Sequence, residues 1–163
     1  MKKNMKFIVV LVLVILNIGC DQVSKSMARE QITQGERTEL LSGYLILVKT
    51  ENTGAFLSMG QNWNPTIKKI VFWGMPIVVL FGLLGLLLFT NKFSRNMIIG
   101  LSFIVGGGLG NLYDRILYGS VTDFMLIDIG IAKTGIFNMA DVSIMVGMGI
   151  ILLETLLAKD EKK

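Results

Sequence analysis

Ile70 to Phe89 is a run of 20 residues without a charged side chain, and it constrains the fold more than any other feature of the chain. At about 1.5 Å per residue, a helix of that length crosses roughly 30 Å of hydrocarbon. Its backbone groups find no water in lipid, so they must pair within a helix or a closed barrel. Pro76 and the glycines inside the run are tolerated in a membrane helix. Three more apolar blocks follow Lys6, follow Arg95 and precede Lys159, and each turns polar at one end. The chain therefore reads as a membrane all-α protein with spans at about 7–26, 70–89, 96–115 and 140–158, in one domain over residues 1–163.

Composition agrees, since 52% hydrophobic against 17% charged residues is more apolar surface than a soluble core of 163 residues needs. A net charge of +4 invites a nucleic-acid reading, but the basic residues flank the apolar blocks instead of lining one face, so no nucleic-acid partner is expected. Lys2, Lys3 and Lys6 precede the first span, Lys92 and Arg95 separate the second from the third, and Lys159, Lys162 and Lys163 follow the fourth. With an even number of spans these segments share a side. The positive-inside rule makes that side cytoplasmic, with both termini inside. Lys68 and Lys69 then fall outside, against the rule.

Laying about 20 residues outward from each cytoplasmic flank brings three polar clusters to one depth. They are Asp21 and Lys25 on the first helix, Asn111, Asp114 and Arg115 on the third, and Asn138 and Asp141 on the fourth. A charge deep in the bilayer costs about 2.5–3.5 kcal/mol, so coincident clusters argue for a shared site near the outer interface. Within each cluster, spacings of i, i+3 or i, i+4 keep the residues on one helix face. For Lys25 taken alone, snorkelling at the end of a span and a role in a site are equally good readings, but snorkelling accounts poorly for three clusters at one depth.

The outer segments are expected at about 27–69 and 116–139. In the first, Tyr44-Leu45-Ile46-Leu47-Val48 reads as a strand leading into Asn52-Thr53-Gly54, where glycine permits a close approach. The stretch 52–60 is a candidate moving flap. The second, with Gly119, Gly130 and Gly135, reads as a strand-turn-strand excursion, and together they predict a small sheet on the bilayer surface.

The chain has no histidine. That removes Ser-His and Cys-His nucleophile pairs and the two-histidine zinc helix, so hydrolysis would fall to carboxylates or to a Ser-Lys pair. Ser24 and Lys25 are adjacent and point to different faces of a helix. The lone Cys20 cannot form an internal disulfide, and Asp128, with no motif around it, reads as a structural carboxylate.

Five short motifs then line up: Asp21-Gln22-Val23-Ser24-Lys25, Asn52-Thr53-Gly54-Ala55-Phe56, Gly110-Asn111-Leu112-Tyr113-Asp114-Arg115, Val121-Thr122-Asp123-Phe124 and Phe137-Asn138-Met139-Ala140-Asp141. In this order and at these topological positions, the chain resembles the lipoprotein signal peptidase (signal peptidase II) family over nearly its whole length. The resemblance implies four transmembrane helices with a small extracytoplasmic sheet. It implies an intramembrane aspartyl endopeptidase that cuts diacylglyceryl-modified prolipoproteins just before the lipidated cysteine. Asp123 and Asp141 would be the catalytic dyad. Asn52, Gly54, Asn111, Arg115 and Asn138 would hold substrate or order the site, and Asp21, Lys25 and Asp114 would support it. No metal or cofactor is implied.

The partners implied are prolipoprotein substrates and membrane lipid, for a monomer in the bacterial inner membrane with its site at the outer face, sensitive to globomycin. Two departures are visible: Thr122 stands where an aliphatic residue is common, and Val142 where the family often has Ser. Two carboxylates held close cannot both ionise cheaply and would share one proton. Two other readings compete. Met1 to Cys20 is similar to a lipoprotein signal sequence, but Asn17 sits where an aliphatic residue belongs and three more spans follow. A small four-helix proton-coupled transporter would place its acids near the midplane, not at one interface.

Overall fold

The structure is a computed structural model, and it describes residues 3–54, 59–60 and 62–160. Four helices are long and apolar enough to cross a membrane. They are α1 (Lys3–Gln31), α2 (Pro65–Phe89), α3 (Arg95–Tyr118) and α4 (Met139–Asp160). Between them lie β1 (Thr38–Leu40), β2 (Leu45–Asn52) and β3 (Val121–Ile127), an antiparallel sheet in the order β1-β2-β3. Side chains of α1, α2 and α3 meet in a tight core of Val10, Val14, Leu87, Ile98 and Val105.

Local sequence explains where these helices start and bend. The Asn64 side chain accepts a bond from the Thr66 amide, and Ser94 accepts one from the Met97 amide, each capping a helix start. Ile70–Gly74 forms a widened π turn just before Pro76. Proline lacks the N–H that would bond the carbonyl four residues back and its ring crowds that carbonyl, so a wider turn absorbs the misfit.

All four helices extend beyond the spans expected from length alone. The first runs past residue 26 to Gln31, the second begins at Pro65 instead of 70, and the third reaches Tyr118 instead of 115. The fourth, Met139–Asp160, starts one residue before the expected 140 and ends two beyond 158. The expected outer segments, 27–69 and 116–139, shorten accordingly. Hydrocarbon thickness sets only the shortest helix that can cross, and it does not limit how far a helix continues.

Lys6 is also not a free flanking charge. It is buried, and its Nζ donates to the Thr90 carbonyl at 2.7 Å and to Asn91 Oδ1 at 3.2 Å, closing the C-terminal end of α2. Lys2, Lys162 and Lys163 lie outside the described residues.

The sheet carries one register shift. Leu47 pairs with Met125 and Thr50 with Asp123, so β2 holds an extra residue between these pairs. Such a bulge twists a strand and re-aims its side chains. The return arm after β3 is not a second strand: it makes only isolated bridges, Met125 with Phe137 and Asp128 with Lys133. Of the expected flap over 52–60, Ala55 to Ser58 lie outside the described residues, and so do the motif residues Ala55 and Phe56.

Candidate active site

Most of the polar residues singled out above converge where α1, α3 and α4 meet the sheet. The convergence begins with backbone. Gly110 of α3 faces Asp21 so closely that a Cβ there would stand 2.6 Å from Asp21 Oδ2. Glycine thus lets α1 bring its carboxylate against α3. At the end of α3, Gly119 adopts φ of +75°, a left-handed turn open to glycine, which directs the chain into β3.

Asp21 uses its position to finish another helix. Its Oδ1 accepts the Ala140 amide at 2.9 Å, satisfying an unpaired N–H in the first turn of α4. Its Oδ2 accepts Lys25 Nζ at 2.8 Å, and Lys25 also lies 3.3 Å from Asp114 Oδ2. All three side chains are fully buried. Gln22 donates to both Asp21 and Asp114, at 3.0 and 3.1 Å. Ser24 donates to the Asp21 carbonyl at 2.8 Å, so its hydroxyl is engaged with backbone and not with Lys25.

Asn138 is the N-cap of α4. Its Oδ1 accepts the Asp141 amide at 3.0 Å, while Asp141 Oδ2 accepts the Asn138 amide at 3.1 Å. This reciprocal capping box fixes Asp141 at the third position of the helix. The Asn138 amide group then reaches the other acid, donating to Asp123 Oδ1 at 2.6 Å. Asp123 Oδ2 accepts from Asn52 Nδ2 at 3.0 Å, across the β2–β3 pair. Asn111 closes the ring: its Nδ2 donates to Asp141 Oδ1 at 3.0 Å, and its Oδ1 accepts from Lys25 at 2.9 Å and from Asn138 at 3.2 Å. Asp123 and Asp141 are therefore tied to one asparagine.

Neither acid forms a salt bridge among the described residues. Burial pushes the Asp123 carboxyl up to about 6, and the Asp141 charge adds to the rise. Bonds from Asn52 and Asn138 and the Lys25 charge work the other way without cancelling it. Arg115 lies beside the acids, donating to the Asn111 carbonyl at 3.3 Å and the Gly54 carbonyl at 3.1 Å. The Gly54 amide bonds Asn52 Oδ1 at 3.0 Å, a turn that orients the Asn52 side chain. Asp128 stands apart, paired with Lys133 at 2.7 Å, and that bond holds its carboxyl below the usual range.

Two participants escape the motif reading. Arg29 pairs with Asp114 at 2.9 Å, stacks 4.2 Å over the Tyr118 ring and donates through Nε to Thr122 Oγ1 at 2.9 Å. Thr122 passes the contact on to Glu51 Oε1 at 2.8 Å, which gives the unusual hydroxyl at this position a partner on either side. The signal for Arg29 was present: Asp21, Lys25 and Arg29 repeat at i, i+4 and i+8 on one face.

Fold and site together define a polytopic membrane protein with a hydrogen-bonded acid pair at one rim of its bundle. A family model described as signal peptidase (SPase) II matches residues 12–157. A lipoprotein signal peptidase of Enterococcus faecalis is 35% identical over 147 residues, covering 90% of this chain and 86% of that relative. One from Streptococcus pneumoniae is 34% identical over 148 residues, 91% of this chain and 92% of the relative. A solved structure described as a bacterial membrane enzyme superposes with a TM-score of 0.82 at 26% identity, covering 95% of this chain and 92% of that one. The chain belongs to the signal peptidase II family, and it is a multi-pass membrane peptidase.

Proposed function

We propose that this chain, as one domain over residues 1–163, is an aspartic endopeptidase that removes signal peptides from diacylglyceryl-modified prolipoproteins. One observation carries the reading: two acids share Asn138 while neither has a cation as direct partner among the described residues. Such a pair holds one proton between two carboxyls over a useful pH range. The ionised member takes a proton from water, whose oxygen attacks the scissile carbonyl carbon. The protonated member gives its proton to the carbonyl oxygen. Collapse of the resulting diol breaks the C–N bond, with a proton delivered to the leaving nitrogen. The shared proton belongs to the pair and is assigned to neither acid alone.

Asn52, Gly54, Asn111, Arg115 and Asn138 position the substrate backbone and the acids, and Asp21, Lys25 and Asp114 support them. Amides suit this work near hydrocarbon because each offers donors and an acceptor where water is scarce. The basic flanks orient both termini to the cytoplasm and the sheet to the outer face. There the substrate's acyl chains can stay in the bilayer during cleavage.

The test is purified protein in detergent with a precursor peptide bearing a diacylglyceryl cysteine. Cleavage directly before that cysteine, blocked by globomycin, is the expected result. Undiminished cleavage by the Asp141→Asn variant would overturn the aspartic assignment.

A further inference from the structure

Lys68 and Lys69 stand on the side where the positive-inside rule disfavours them, and the proposed chemistry uses neither. They belong to a cavity of about 210 Å³ whose lining also includes Arg115, Thr53, Phe72 and Trp73. Among the described residues, no acidic side chain lines it. Of the five N–H donors on the Arg115 guanidinium, only two bonds to described residues are made, to the Asn111 and Gly54 carbonyls. Three cations thus line one small space, and among the described residues the two lysines form no ion pair.

The setting indicates what form of anion would fit there. Lys69 Nζ lies 6.0 Å from the centre of the Trp73 ring, and Trp63 stacks on Phe72 at 5.7 Å. Tryptophans of this kind sit at headgroup depth. The apolar run starts at Ile70, directly after the lysines, and exposed Ile67 and Ile70 flank them. An anion that entered here attached to acyl chains could lay those chains along α2 while its charge met the cations.

We infer that this pocket binds the phosphate of an anionic phospholipid headgroup beside the acid pair. Lys68 and Lys69 supply point charges, and Arg115 supplies planar donors suited to phosphate oxygens. The Arg115 wall is shared with the candidate active site, so a bound lipid would brace the guanidinium beside the acids. The identity of the leaflet rests on the orientation proposed above, but the binding itself does not.

The test titrates the full chain in a neutral detergent with short-chain phosphatidylglycerol, with short-chain phosphatidylcholine and with inorganic phosphate, following thermal unfolding. Phosphatidylglycerol is expected to raise the midpoint saturably, and the other two to leave it unchanged. In the Lys68→Gln/Lys69→Gln double variant the apparent affinity should weaken roughly five-fold for each lysine removed. Its precursor cleavage in lipid-free detergent should match the wild type. Equal shifts with both lipids, or an unchanged phosphatidylglycerol affinity in the double variant, overturn the site. An equal shift with inorganic phosphate overturns the headgroup assignment in favour of a free anion. Because unfolding is the readout, these outcomes are separate from whether the chain cleaves precursor.

Discussion

Two charged clusters lie side by side at the sheet-bearing end of the bundle, and they are built on opposite principles. One holds Asp21 and Asp114 against Lys25 and Arg29, two acids with two bases at 2.8 to 3.3 Å. The other holds Asp123 and Asp141, whose hydrogen-bond partners are asparagine side chains and one backbone amide. The first sets two acids against two bases, so its formal charges cancel. The second sets two acids side by side with no ion-pair partner among the described residues, and Asp123 is buried, a state relieved by taking up a proton. Asn111 joins them: Lys25 fixes its oxygen, which turns its NH₂ group toward Asp141. The balanced cluster thus acts as a rigid mount for the unbalanced one.

Removing one acid of the unbalanced pair should have the largest effect of any single change. Asp123→Asn and Asp141→Asn are each expected to lower precursor cleavage at least roughly 10³-fold, in the range of lost general acid–base catalysis. Both variants should keep their helix content by circular dichroism and elute with the wild type on size exclusion. Residual activity within ten-fold of wild type would break the contrast by making the pair dispensable.

The balanced cluster should respond in the other currency, stability. Lys25→Met leaves Asp21 and Asp114 buried without their shared cation, a loss expected to cost about 3–5 kcal/mol in unfolding free energy. Adding Asp21→Asn should recover part of it, because Asp114 keeps Arg29 as partner. Unfolding followed by tryptophan fluorescence would report both. A Lys25→Met protein as stable as wild type, or a double variant worse than the single one, would show that charge balance is not what holds this region.

The contrast was only half visible in the sequence. The apolar blocks and their polar ends gave four spans and one depth for Asp21, Asn111 and Asn138, because hydrocarbon thickness is a sharp physical ruler. The same ruler hid Arg29: it ended the first helix near residue 26, whereas α1 continues to Gln31. Beyond the bilayer, helix length is set by packing and capping, here by contacts to Asp114 and Thr122 that no local pattern records. The partners of Lys6 were hidden too, since Thr90 and Asn91 lie 84 and 85 residues away. The strand at 45–48 was legible from its β-branched run. The short arm returning to Phe137 was not a strand, and its bridges depend on β3 being there first. The motifs nominated Asp123 and Asp141, but spacing alone could not say that one asparagine would touch both.

The smallest expected effect is the one that tests the unbalanced pair most directly, through pH. Asp123 lies on β3, outside the spans, and its carboxyl rises from 3.8 to about 6. In that window the folded chain holds a proton that an unfolded chain has released. Its contribution to stability is complete below about pH 3.8 and is lost as pH climbs through about 6. The loss amounts to roughly 3 kcal/mol if the full shift is expressed. Other carboxyls titrate over the same range, so the quantity to measure is the difference between wild type and Asp123→Asn at pH 4 and pH 7. An asparagine cannot ionise, and it also removes the repulsion felt by Asp141, so both effects work in one direction. The wild type should therefore lose stability relative to the variant as pH rises. Parallel curves would mean that burial does not hold a proton on Asp123, and the acid pair would then lack the property that separates it from its neutral neighbour.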